Sequence, residues 1–152
     1  VALSDWEYSY NGLTFGGNTQ YGVTRVEGLD PPDTKADIRP KIGVDGSFVY
    51  AVNYEERHVI ITGDIVPTSG LVADLEPLIN TWRTAFANQT ADLNLDYKPA
   101  GVPARRIKCR PIRRNLVVDE VFQLAIARWT VELVAGDPAI YAVATGVKLF
   151  EA

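Results

Sequence analysis

Between residues 11 and 32 the chain reads NGLTFGGNTQYGVTRVEGLDPP, and this segment restricts the fold more than any other. Asn11-Gly12 is the dipeptide best suited to a tight hairpin, because both residues accept the positive φ that such a turn demands. The aromatic, alternating run Trp6-Glu7-Tyr8-Ser9-Tyr10 precedes it, and Leu13-Thr14-Phe15 follows. A Gly16-Gly17 turn then leads into a strand-like run over residues 21–29. Asp30-Pro31-Pro32 closes that run, since proline lacks the N–H that ladder pairing needs. Punctuation of this kind folds as antiparallel β-structure, and nothing in the segment has a catalytic pattern.

The rest of the chain continues in short β-like pieces. Residues 30–46, DPPDTKADIRPKIGVDG, combine proline, glycine and charge over a length well beyond the ~4–6 residues of an ordinary connection. They read as a long loop or interaction arm that orders on assembly, with Ile38, Ile42 and Val44 as apolar anchors. Asp45-Gly46 reads as a turn before a strand over residues 48–52. Residues 57–66, RHVIITGDIV, alternate clearly: Val59, Ile61 and Ile65 fall on one face, with Gly63 among them as a bulge or close backbone approach. Residues 71–87 are the one substantial helix, with Leu71, Leu75, Leu78, Ile79, Trp82 and Phe86 at helical spacing. Pro77 fits if Asp74 caps a shorter helix and the proline stands in its first turn. Residues 92–97 alternate, residues 104–110 form a strand that Pro111 interrupts, and residues 120–134 read as one long strand because of their β-branched and aromatic content. Residues 139–150 read as a last strand or a linker. The expected fold class is mainly β with one α-helix, a β-sandwich or barrel with a helix packed on it.

The 152 residues suit one domain, and an apolar share of 47% with a charged share of 22% is ordinary for a globular protein. No apolar run approaches the ~18 residues of a membrane span, so no membrane insertion is expected. The first residues lack the basic and apolar regions of a signal peptide. Methionine is absent, which suggests a processed chain or a piece of a longer one. Cys109 is the sole cysteine, so no internal disulfide forms. Charge is unevenly spread. Arg105, Arg106, Lys108, Arg110, Arg113 and Arg114 stand together without an acid, in a chain holding 15 basic and 19 acidic residues and a net charge of −4. The remainder is therefore strongly acidic, and such a split suits a basic segment meeting an acidic face of another copy. A solvated strand edge is the bland alternative, and nucleic-acid binding is disfavoured because no aromatic residues are interleaved with the cations.

Other chemistry is thin. His58 is the sole histidine, with nothing in the spacing that brings it to Ser47, Ser69 or Cys109, and it reads as an ordinary strand residue. Asp92, Asn94 and Asp96 imitate the start of a calcium loop, but the sixth position is Tyr97 where glycine is needed, and the twelfth is Pro103. Gly12, Gly16 and Gly17 are turn glycines and lack the following Lys-Ser/Thr of a phosphate loop. Asn88-Gln89-Thr90 matches a glycosylation sequon without a secretory signal to give it meaning. No catalytic residue, metal ligand or cofactor site is expected, and the chain does not read as an enzyme.

Taken in order, these elements resemble the N-terminal domain of siphophage distal tail proteins, in the versions found in actinobacteriophages. The opening hairpin and strand are the first point of likeness. Asp45-Gly46, Tyr54 and RHVIITGDIV resemble that family's "DG…Y…GR-x-I-x-L-x-G" stretch, with Glu56-Arg57 where glycine-arginine is usual. Leu78, Trp82, Arg83, Ala85 and Phe86 match a helix ending "L…W/L-R-x-A-F", and Asp137-Pro138-Ala139-Ile140-Tyr141 matches a "DP-x-Y" marker. The likeness covers about residues 8–142.

The resemblance implies a tail-tube-like β-sandwich or split barrel with a flanking helix and a long loop or arm. It implies a ring-forming domain over residues 1–142, with residues 143–152 as a C-terminal strand or linker extension; the further carbohydrate-binding-like domain that many such proteins carry is either absent, lost from this sequence or reduced to a tail. It implies a structural virion protein at the distal end of the phage tail, made in the host cytoplasm. There it forms a hexameric ring that continues the tail-tube channel and joins the tube to the tip. The expected partners are further copies of itself, the tail-tube protein and the tail-tip or hub proteins, with DNA passing only transiently through the channel. A tail-tube subunit is the alternative, and a carbohydrate- or receptor-binding module a more distant one. The expected subunit contacts are the six basic residues of the 105–114 segment together with Ile38, Ile42 and Val44.

Overall fold

A computed structural model describes residues 2–150. The chain builds β1 (Glu7–Tyr10), β2 (Leu13–Gly16), β3 (Tyr21–Glu27), β4 (Thr34–Pro40), β5 (Ser47–Tyr54) and β6 (Arg57–Ile65). The helix α1 (Leu75–Ala85) follows, then β7 (Leu93–Tyr97), β8 (Arg105–Val117), β9 (Ala127–Ala135), β10 (Ile140–Ala142) and β11 (Lys148–Phe150). The class is mainly β with one α-helix, and no helix among the described residues is long and apolar enough to cross a membrane.

The N-terminal hairpin forms as its sequence demands. Tyr10 pairs with Leu13 across Asn11 and Gly12, whose φ values of 48° and 82° are those of a primed two-residue turn. The main sheet is antiparallel and runs β2-β1-β7-β8-β9-β6-β3, with β10 against β8 and β11 against β10. The hinge of the architecture is β8. Its first half pairs with β7 from Leu93↔Cys109 to Tyr97↔Arg105, and its second half pairs with β9 from Arg110↔Val134 to Val117↔Arg128. Both halves of the sheet and α1 contribute buried side chains to one shared interior.

That interior is aromatic. The rings of Tyr10 and Phe86 stack at 5.4 Å, Trp82 lies 5.9 Å from Trp129, and Phe15 meets Trp129 edge-on at 5.9 Å. Val59, Ile61 and Ile65 of β6 and Leu75 and Ile79 of α1 are fully buried beside them, each contributing about 1.5–3 kcal/mol by leaving water. Gly63 falls where the backbone of β3 passes close to β6: a methyl group there would stand 2.0 Å from the Gly22 carbonyl oxygen. The close approach foreseen for this glycine is therefore real.

Two side chains from distant strands complete the C-terminus of α1. Asn11 donates to the Ala85 carbonyl at 3.1 Å. Arg114 donates to the carbonyls of Phe86 at 2.8 Å and Arg83 at 3.2 Å. Carbonyls that no helical N–H can reach are thus satisfied, and a cation sits at the negative end of the helix.

The structure departs from the sequence reading in four places. The segment over residues 30–46 is no featureless loop, because residues 34–40 form β4, which pairs with β5 in a hairpin outside the main sheet. β8 runs straight past Pro111: the register shifts between Pro111 and Arg113, and at such a bulge a missing N–H removes no regular ladder bond. Residues 120–124 are a 3-10 turn, opened by the Asp119 side chain accepting the Val121 N–H at 3.0 Å and closed by Ala125 at φ 61°, so the strand starts only at Ala127. Asp74 does stand at the N-cap of α1 with Pro77 in the first turn, but its carboxylate accepts the Ser69 hydroxyl at 2.5 Å and does not cap the helix.

Candidate interaction surfaces

Every residue of β4 and of β5 is exposed, although the hairpin they form is rich in apolar side chains. The register places Ala36 opposite Val52, Ile38 opposite Val49 and Arg39 opposite Phe48. The register shifts between the first two of these pairs, so Phe48 and Tyr50 share the face of Arg39 and Lys41, while Val52 and Tyr54 lie on the other face with Ala36 and Thr34. Phe48 and Tyr50 lie 5.9 Å apart, with the Arg39 guanidinium 5.1 Å over the Tyr50 ring and the Lys41 ammonium 5.3 Å over Phe48. Of the anchors expected from sequence, Ile38 and Val44 are more than half exposed and Ile42 is wholly so, at 100%. An isolated two-stranded ribbon is marginal in water, and one with aromatic rings held in solvent has the composition of a binding element. The hairpin stands outside the main sheet as an exposed arm.

The root of the arm is fixed by a buried cation. Arg57 begins β6, is 2% exposed, and meets no carboxylate. Its Nε donates to the Pro138 carbonyl at 2.9 Å and its Nη1 to the Gly28 carbonyl at 2.7 Å and the Asp30 carbonyl at 2.5 Å. Burial lowers its pKa, and the neighbouring Tyr97 and Asp30 act in the opposite direction. Pro138 belongs to the "DP-x-Y" marker, where Asp137 accepts the Tyr141 hydroxyl at 2.5 Å and the Ala139 N–H at 3.1 Å. The Tyr141 hydrogen bond is the main reason the Asp137 carboxyl sits below the usual carboxylate range. Two sequence markers eighty-odd residues apart therefore meet at a single hydrogen bond beneath the arm. The arginine of the first marker was visible in the sequence; its burial was not, because a strand-initial arginine ordinarily faces water.

The basic segment resolves residue by residue. Arg106, Lys108 and Arg110 share the outer face of β8, as alternation requires, while Ile107 and Cys109 point inward. Arg106 makes two bonds to Asp96, at 2.6 and 2.9 Å, and Arg110 reaches Asp92 at 2.6 Å. Lys108 stands opposite Asn94, 5.6 Å over the ring of Tyr141. The calcium-like triplet of β7 is thus the acidic side of a cross-strand ladder with β8. Arg105 lies against the Tyr97 hydroxyl, whose ionisation it favours while burial opposes it more strongly. Arg114 caps α1, and Arg113 approaches Glu132 at 4.0 Å with its side chain 81% exposed. Lys108, Arg113 and Arg114 are the exposed cations of this segment, and of these Arg114 is tied to the end of α1.

The remaining candidates keep their structural roles. His58 lies on the exposed face of β6, 3.0 Å from Glu132 and 3.6 Å from Glu56. Cys109 is fully buried, and burial, with Asp92 nearby, pushes its thiol up to about 12.

No family model matches the chain, and no curated protein does. Among solved structures it is similar to the Dit protein (gp 19.1) of SPP1, described as a paradigm of the hub adsorption apparatus in phages that infect Gram-positive bacteria. The TM-score is 0.67 at 17% identity, over 90% of this chain and 51% of that one. The chain spans about half the length of that protein and shares its fold over nearly all of its own length.

Proposed function

We propose that this chain is a structural component of a phage tail tip, the ring-forming unit of a distal tail protein. The observation that carries this reading is the fold held in common with the SPP1 hub protein across 90% of the chain. Residues 1–142 form the ring unit and residues 143–152 extend it. Six copies close into a ring that continues the tail-tube channel, through which DNA passes transiently, and join the tube to the hub proteins. The exposed arm, with Ile38, Ile42 and Val44, supplies contacts to neighbouring copies. Of the basic segment, the exposed Lys108 and Arg113 reach a neighbour, since Arg106, Arg110 and Arg114 are held by hydrogen bonds in their own chain.

The test is co-expression with the tail-tube and hub proteins of the same phage, followed by negative-stain imaging and mass measurement of the particles. Single closed rings at one end of the tube are expected. Stacked tubes made of this chain alone would identify a tail-tube subunit. A protein found only as a monomer within assembled tails would overturn the ring.

A further inference from the structure

The arm is not the sole apolar surface left in water. Val66, Leu71, Val72, Val117, Val118 and Leu124 are 41 to 72% exposed. Val66 directly follows β6, whose last residue Ile65 pairs with Ala127 at the start of β9. Val117 ends β8 opposite Arg128, Val118 follows it, and Leu124 ends the 3-10 turn before β9. Leu71 and Val72 open the 3-10 turn before α1, and the two turns pack together. All six therefore gather at one end of the β6–β9 ladder.

The arm leaves the opposite end, where Arg57 pairs with Ala135. Nine residues of β6 separate the two, roughly 30 Å at strand rise. The charges are complementary. The arm carries Lys35, Arg39 and Lys41 against Asp37 and Asp45, with Arg39 bonded to Asp37. The far end carries Asp64, Asp74, Asp119 and Glu120 against Arg128, which reaches Asp119 at 3.7 Å.

We propose that the arm of one copy docks on this apolar end of the next copy, laying Phe48 and Tyr50 against Val118 and Leu124, with Arg39 and Lys41 on the same face toward Glu120. This rests on the ring reading and names the surfaces that would close it. Two unlike surfaces at opposite ends of one ladder make a head-to-tail contact, the type that propagates until it closes. Arm-to-arm pairing would set the cations of one arm against those of another, whereas the acidic end receives them favourably.

The experiment mixes two full-length variants, Tyr50→Cys and Leu124→Cys, under mild oxidation; the buried Cys109 does not compete. A disulfide-linked adduct is expected in the mixture and in neither variant alone. Arg39→Glu with Lys41→Glu should lower its yield severalfold, and adding Glu120→Lys should restore part of it. Rings seen by imaging without the mixed adduct would overturn this docking and leave the ring standing. Self-adducts of Tyr50→Cys would overturn it in favour of paired arms. Neither rings nor adduct, up to the highest soluble concentration, would overturn both readings.

Discussion

Replacing Arg57 with leucine tests how the arm is held. The substitution keeps the buried stem and removes the guanidinium, leaving the carbonyls of Gly28, Asp30 and Pro138 without their shared donor. Hydrogen bonds to a charged group are each worth about 1.5–3 kcal/mol. Against this stands the cost of burying an arginine whose hydrogen bonds all go to carbonyls and none to a carboxylate, an effective penalty of several kcal/mol that leucine escapes. The difference leaves a net loss of about 2–4 kcal/mol, since freed carbonyls near the surface also recover water. At ~2–4 °C per kcal/mol for a domain of this size, the melting temperature should fall by roughly 5–15 °C. Denaturant unfolding followed by tryptophan fluorescence gives the free energy, because Trp82 and Trp129 report the packed interior. Hydrogen exchange should quicken first at residues 28–33 and 137–140, the two segments that Arg57 ties together. A loss below about 1 kcal/mol, or exchange that rises evenly over the whole chain, would refute the claim that Arg57 is the pin of the arm.

Four further outcomes follow from the geometry. Gly63→Ala should cost about 1–3 kcal/mol, measured by the same unfolding, because the added methyl group collides with the Gly22 backbone. Cys109 should resist a thiol reagent in the native protein at pH 8 and react fully in denaturant, its thiol being buried and pushed up to about 12. Asp137 has a folded pKa below its unfolded value of about 3.9, so its contribution is present above that pH and disappears as pH falls through the lowered folded value. Tyr141→Phe removes the main cause of that shift and should flatten the fall of stability as pH drops below about 4, read by denaturant titration at each pH. Replacing residues 34–54 with a short glycine-serine linker should leave melting of the body nearly unchanged and abolish ring formation, since every residue of β4 and β5 is exposed.

What could be read from sequence was whatever a local pattern decides. The Asn11-Gly12 hairpin, the faces of β6, the Pro77 position in α1 and the inward set of β9 each depend on turn chemistry or periodicity within about ten residues. What stayed hidden depends on partners far along the chain. Proline and charge made residues 34–40 look like a loop, yet pairing with β5 makes them a strand. Pro111 looked like a stop because the bulge that excuses it exists only once β9 is alongside. The basic segment looked like one patch. Register against β7 turned two of its arginines into a ladder, and the helix end drew a third inward to its carbonyls. Charge counts along a chain cannot separate those fates, since each is set by what the fold places opposite.

The single strand shared by both halves of the sheet has a consequence for how the body comes apart. Because β8 is bonded to β7 on one half and to β9 on the other, neither half holds a boundary along which it could detach alone. Arg114, on that same strand, also closes the end of α1, and Asn11 closes it from the N-terminal hairpin. Loosening any one of these elements withdraws a partner from the other two. The body should therefore melt as one cooperative unit, with the arm fraying independently of it. Force applied through the arm would then meet either a local give or the resistance of the entire body, with no intermediate stage between them.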